Sequence, residues 1–245
     1  MEHANKAAIV TGASRGIGAA IAERLARDGF AVTINYAGSE APARELAERI
    51  NASGGRAIAV QADVADAKAV ARLFDETERA FGGVDAIVNN AGIMTLAPLA
   101  EATDEQFDAM VATNLKGVFN GMRAGGRRIR DGGRVVNFST SVVGMKLPGY
   151  GIYAATKAAV ETLTHIMAKE LGPKRITVNT VAPGPVATEL FLGGKTEEQV
   201  AGLTRLIPLG RLGEPEDIAG VVSFLLGPDG GWVNGQVIRA NGGVV

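Results

Sequence analysis

The 245-residue chain contains no cysteine and only two histidines, His3 and His165. The first absence removes disulfides, thiolate nucleophiles and cysteine-ligated metals together. The second leaves a histidine-based hydrolase or a multi-histidine metal centre almost without material, so no metal site is expected. His3 falls in a terminus expected to fray, and His165 stands in a helical run where a packed or surface role is expected. Basic charge is not in excess either. The 25 Lys+Arg against 26 Asp+Glu leave a formal net charge of −1, which argues against nucleic acid or a membrane surface as partner. No apolar run approaches the length that spans a bilayer, and "VVSFLL" (221–226) is far too short. The polar head "MEHANK" leads directly into "AAIV", so no signal peptide is expected and the cytoplasm is the expected compartment. Chemistry must then use hydroxyls, amides, lysine or a bound cofactor.

What is present is a rhythm. A hydrophobic content of 47% is ample for a core. Short apolar runs at 7–11, 31–36, 57–61, 86–90, 134–139, 176–182 and 235–240 read as strands. Amphipathic stretches at about 16–28, 40–53, 66–81, 104–130, 151–171 and 215–226 read as helices between them. The alternation predicts a doubly wound α/β fold, with a seven-stranded parallel sheet and helices on both faces. No linker, repeat or low-complexity break interrupts it, so residues 1–245 read as one domain. Gly125 and Gly126 stand out inside the long fourth helical stretch, where each costs about 1 kcal/mol relative to alanine. Either the helix ends early there or it packs closely against a neighbour.

"VTGASRGIGAAIA" (10–22) joins the first strand to the first helix through Gly12, Gly16 and Gly18. Glycines there permit a tight turn and close approach of a pyrophosphate to backbone N–H groups at the helix N-terminus. Ser14 and Ile17 belong to the same loop. A second signal lies at the end of the second strand, where an NAD site usually carries an acidic residue for the ribose hydroxyls. This chain offers "INYAGS", with Asn35 at that place, Ser39 nearby and no carboxylate before Glu40. Arg15 in the loop is suited to a charge-assisted bond with a 2′-phosphate. The reading is NADP(H), preferred over NAD(H).

"GYGIYAATKAAVE" (149–161) sets Tyr150, Tyr153 and Lys157 in an alanine-rich helix. Residues four apart share a helical face, so Lys157 neighbours Tyr153, while Tyr150 has Ala154 in that place. An ammonium beside a phenol favours the phenolate, which makes an acid or base of such a tyrosine near neutral pH.

Across nearly its whole length the chain resembles the short-chain dehydrogenase/reductase superfamily. The resemblance is carried by "TGASRGIG" (11–18), "DV" (63–64), "NNAG" (89–92), Asn114 in "TNLKG", "STSVVG" (139–144), "YAATK" (153–157) and "APGPVAT" (182–188). It implies that Tyr153 is the acid/base and that Tyr150 lines or packs. It further implies that Lys157 holds the nicotinamide ribose and lowers the phenol's pKa, and that Ser141 binds the substrate oxygen, with Ser139 the weaker candidate. Asn114 is implied to hold a water chain from Lys157. Asp63 and Val64 would meet the adenine, Asn90, Ala91 and Gly92 the adenosine ribose, and Pro183, Gly184, Val186 and Thr188 the nicotinamide end. Asn241 departs from an aspartate common among relatives.

The implied function interconverts a carbonyl and an alcohol on a small molecule, in a homo-oligomer expected to be a tetramer. Residues 185–210 are expected to form a mobile lid, with Leu190, Phe191 and Leu192 able to face an apolar substrate. Arg127, Arg128, Arg130, Lys174 and Arg175 keep an acyl-carrier substrate, and so a 3-oxoacyl reductase, under consideration. The rival from another class is a non-catalytic NADP-binding sensor on the same fold; the Ser141–Tyr153–Lys157 set argues against it.

Overall fold

The computed structural model describes residues 6–245, so His3 lies outside the described residues. The first half holds β1 (Ala7–Val10), α1 (Gly16–Arg27), β2 (Ala31–Tyr36), α2 (Glu40–Ala52), β3 (Arg56–Gln61), α3 (Ala67–Phe81) and β4 (Val84–Asn89). The second holds α4 (Asp104–Met110), α5 (Gly117–Arg128), β5 (Ile129–Phe138), α6 (Val142–Met145), α7 (Gly151–Glu170), β6 (Thr177–Pro183), α8 (Glu189–Leu192), α9 (Glu197–Thr204), α10 (Pro215–Leu226) and β7 (Val237–Ala240). All seven strands pair in parallel in the order β3-β2-β1-β4-β5-β6-β7. The order reverses between β1 and β4, which opens a crevice at their C-terminal ends.

Central strands buried on both faces read as continuous apolar runs, as β1 does. Its alternate side chains feed two cores. Ala8 and Val10 pack with Ile21 and Leu25 of α1, Leu46 of α2 and Val222 of α10. Ile9 packs oppositely with Leu73 and Phe74 of α3, Met122 of α5 and Val160 of α7. No helix among the described residues is long and apolar enough to cross a membrane.

The expected fourth helix is corrected in two ways. It is interrupted by a π-helical stretch, Val111–Lys116, between α4 and α5. It also ends at Arg128, because β5 begins at Ile129 and takes Arg130 into the sheet. Gly125 and Gly126 do not end it. A Cβ on Gly126 would lie 2.9 Å from Met167 Cε of α7, and one on Gly125 would lie 3.1 Å from Ile129 Cδ1. Close packing is their reason. Three basic side chains considered for an acyl carrier have partners within the chain. Arg128 pairs with Asp75 and Glu78, Arg130 with Asp85, and Lys174 donates to the Gly126 carbonyl.

Candidate active site

The β1–α1 loop is shaped by its glycines. Gly12 and Gly16 hold φ of 61° and 56°, which side chains rarely adopt. A Cβ on Gly12 would also lie 2.8 Å from Ala91 Cα, and one on Gly18 would lie 2.6 Å from Asn90 Nδ2. Asn90 closes the crevice from β4, donating through Nδ2 to the Thr11 and Gly12 carbonyls at 2.9 and 3.1 Å. The first turn of α1 has neither a side-chain cap nor an acidic residue, so no side chain occupies its N–H groups, and Gly16, Ile17 and Gly18 border the crevice.

A cleft runs from this loop to the end of β2. Gly12, Ser14, Arg15, Gly16, Ile17, Gly18, Asn35, Ser39, Asp63, Val64, Asn90, Ala91, Gly92 and Thr188 all line it. Asn35 lines the cleft from beneath the loop. Its carboxamide turns inward, accepting from the Gly12 N–H at 3.3 Å and donating to the Ala62 carbonyl at 2.9 Å. It braces the loop from below, and Ala37 and Ser39 line the cleft just beyond the end of β2. Glu40, the first carboxylate after β2, is paired with Arg44. Arg15 reaches across to Glu189 at the start of α8, 3.2 Å away, and both side chains are exposed.

The cleft continues into an inner pocket lined by Gly92, Ser139, Thr140, Ser141, Tyr150, Tyr153, Lys157, Pro183, Gly184, Val186, Thr188, Leu190 and Phe191. Leu192 is turned away and lines a separate groove with Lys195 and Val200. Gly184 is required by Asn241, whose Cα would lie 2.8 Å from a Cβ there. Thr188 caps α8 by accepting from the Phe191 N–H.

The three hydroxyls of "STS" have three different partners. Ser139 donates to Glu161 Oε1 at 2.6 Å. Ser141 accepts from Asn241 Nδ2 at 2.9 Å and lies 3.4 Å from the Ala182 carbonyl oxygen. Thr140 accepts from the Val142 N–H at 3.3 Å and lies near enough to the Tyr153 phenol to favour its ionised form. Ser141, expected from the sequence, and Thr140 both line the pocket with Tyr153, and Thr140 is the one that acts on the phenol. Residue type could not separate three neighbouring hydroxyls, and only their contacts do.

Tyr153 and Lys157 are brought together by α7, with Nζ 5.8 Å from the centroid of the tyrosine ring. Burial pushes the Tyr153 phenol up to about 12, against a lowering by Thr140. Burial pushes the Lys157 amine down to about 8. Desolvation is the largest influence on both groups, and Lys157 Nζ donates to the Phe138 carbonyl at 2.9 Å. Asn114, on the π-helical stretch, is fully buried and binds the Ile93 backbone through both amide atoms, at 2.8 and 2.9 Å. A Cβ on Gly92 would fall 3.3 Å from Asn114 Oδ1 and 3.5 Å from Lys157 Nζ. The missing side chain leaves open the space on which amide and amine converge.

A family model described as Enoyl-(Acyl carrier protein) reductase matches residues 12–245. A short-chain type dehydrogenase/reductase of Picea abies is 46% identical over 250 residues, covering 98% of this chain and 92% of that protein. An NADPH-dependent aldehyde reductase-like protein, chloroplastic, of Arabidopsis thaliana is 44% identical, covering 99% of this chain and 95% of its own length. Among solved structures, a short chain dehydrogenase from Burkholderia cenocepacia in complex with NADP is 38% identical. It superimposes with a TM-score of 0.94 over 100% of this chain and 99% of that one.

Proposed function

Because the chain belongs to the short-chain dehydrogenase/reductase family, and is an oxidoreductase of the CH–OH/C=O kind, we propose that it reduces carbonyl compounds with NADPH in preference to NADH. The observation that carries the cofactor choice is the acid-free end of β2 facing Arg15 across the cleft. Gly12, Gly16 and the uncapped first turn of α1 fit a pyrophosphate, and Ala37 and Ser39 leave a 2′-phosphate unrepelled. The NADP bound by the Burkholderia cenocepacia structure supports the same reading.

When bound, the dinucleotide supplies a hydride to the carbonyl carbon. Thr140 and Tyr153 hold the carbonyl oxygen, and Tyr153 gives it a proton. A phenol held near 12 is protonated throughout the neutral range, as a proton donor must be. Lys157 in its charged form steadies the phenolate left behind. Ser141 and Asn241 fix the backbone that carries Thr140.

We further propose that residues 1–245 act as one dinucleotide-binding domain, with 185–210 as its lid, and assemble as a homotetramer. Exposed Phe107, Phe119 and Ile166 on α4, α5 and α7, and Trp232 and Phe224 near β7, support assembly.

The cofactor reading is tested by kinetics of Arg15→Ala. A charge-assisted bond is worth roughly 1.5–3 kcal/mol, so kcat/KM with NADPH should fall about tenfold to a hundredfold and change little with NADH. Equal losses would mean that Arg15 supports the loop alone, and a native preference for NADH would overturn the reading.

A further inference from the structure

The inner pocket is almost uncharged. Met94, Val142, Met145, Leu147, Leu190 and Phe191 supply much of its wall, and no arginine, histidine or carboxylate is among the described residues that line it. Its one cation, Lys157, is buried against the Phe138 carbonyl. A carboxylate or phosphate entering here would shed its hydration and meet no free counter-ion.

Polar groups gather at one end of this wall, and one of them has no role yet. Tyr150 precedes α7, three residues before Tyr153, and its backbone is fixed at both ends. Its N–H donates to the Leu147 carbonyl at 3.3 Å, and its carbonyl accepts from the Ala154 N–H at 2.8 Å. Its ring lines the pocket, half-buried. No group among the described residues hydrogen-bonds its hydroxyl, and burial alone moves its pKa, upward. The two phenols are near enough that charge on Tyr150 opposes ionisation of Tyr153. A partly desolvated hydroxyl held by a fixed backbone, without an acceptor of its own, favours a ligand that brings one.

Resting on the reductase reading above, we propose that Tyr150 is a specificity-determining residue that donates to a second oxygen of the substrate. The preferred substrates are then uncharged carbonyl compounds with a carbonyl or hydroxyl beside the reacting carbonyl. That second oxygen is bound and left unchanged. One hydride and one proton are added to one carbonyl, and one NADPH is oxidised to NADP⁺.

Three aryl carbonyls test this with NADPH: 1-phenyl-1-propanone, 1-phenyl-1,2-propanedione and benzoylformate. The dione is the more electrophilic, so the readout is the ratio of Tyr150→Phe to wild type for each substrate. Phenylalanine keeps the ring and hence the wall. The dione should lose about tenfold in kcat/KM, mostly through KM, and the mono-ketone several-fold less. Benzoylformate should be at least about tenfold poorer than the dione in the wild type. Equal losses for the two ketones, or benzoylformate reduced as well as the dione, would overturn the proposal. If wild type reduces none of the three, the reductase reading fails with it. Turnover that Tyr153→Phe abolishes but Tyr150→Phe does not sort leaves that reading standing and overturns this one.

Discussion

Single side chains in this pocket do work that their residue type alone does not disclose. Tyr153 and Lys157 were legible because a four-residue spacing fixes neighbours on a helix. Thr140 was not, since three hydroxyls stand side by side in sequence and the backbone decides which one meets the phenol. Asn35 has a second role that residue type does not disclose: it lines the cleft and also bonds the Gly12 N–H and the Ala62 carbonyl under the loop. Its inward turn means that a carboxylate intended to favour NADH belongs at Ala37.

Lys157 also carries a cost. Its amine is lowered from 10.5 to about 8 by burial, so between those values the unfolded chain binds more protons than the folded one. Stability from this group therefore rises with pH across that window and is lowest below about 8. Lys157→Met should raise the melting temperature of the ligand-free protein at pH 7 while abolishing turnover. The gain over wild type should shrink towards pH 10.5. Thermal melts at both pH values check this, and a gain that grows with pH would contradict it.

At the scale of elements, the strands and most helices followed from apolar periodicity, because buried parallel strands and amphipathic helices write it directly. The π-helical stretch did not, since one widened turn leaves a 3.6-residue pattern nearly intact. Yet that stretch carries Asn114 into the site. The early start of β5 was hidden behind "RDGG", whose composition reads as a turn. Glycines in α5 have a packing reason that sequence could only offer as one of two choices. At Gly121 a Cβ would run into Asn89 Oδ1, and the Asn89 amide donates to Asn137 at 2.8 Å in the core. Gly121→Ala should thus destabilise by about 1–3 kcal/mol, although alanine favours a helix by about 1 kcal/mol. Urea unfolding measures the sign, and a more stable variant would mean that Asn89 yields without loss.

Across the whole molecule, the strand order sets the function's location. The reversal between β1 and β4 opens the crevice, α1 borders it with its first turn, and α7 lays Tyr153 and Lys157 at its inner end. The alternation of elements made this architecture legible, whereas assembly leaves only exposed apolar side chains as its trace. Sedimentation equilibrium at micromolar concentration should give a tetramer; a monomer would overturn that part of the proposal.

The central claim is hydride transfer to a carbonyl with Tyr153 and Thr140 at its oxygen. It is tested most directly by following deuterium from NADPH deuterated at both C4 positions into 1-phenyl-1,2-propanedione. Wild type should place one deuterium on the new carbinol carbon of each product molecule. Tyr153→Phe should slow this by about two to four orders of magnitude, and Thr140→Ala by about two to three, with Ser141→Ala much milder. Product without deuterium at that carbon, or Tyr153→Phe as fast as wild type, would contradict the account.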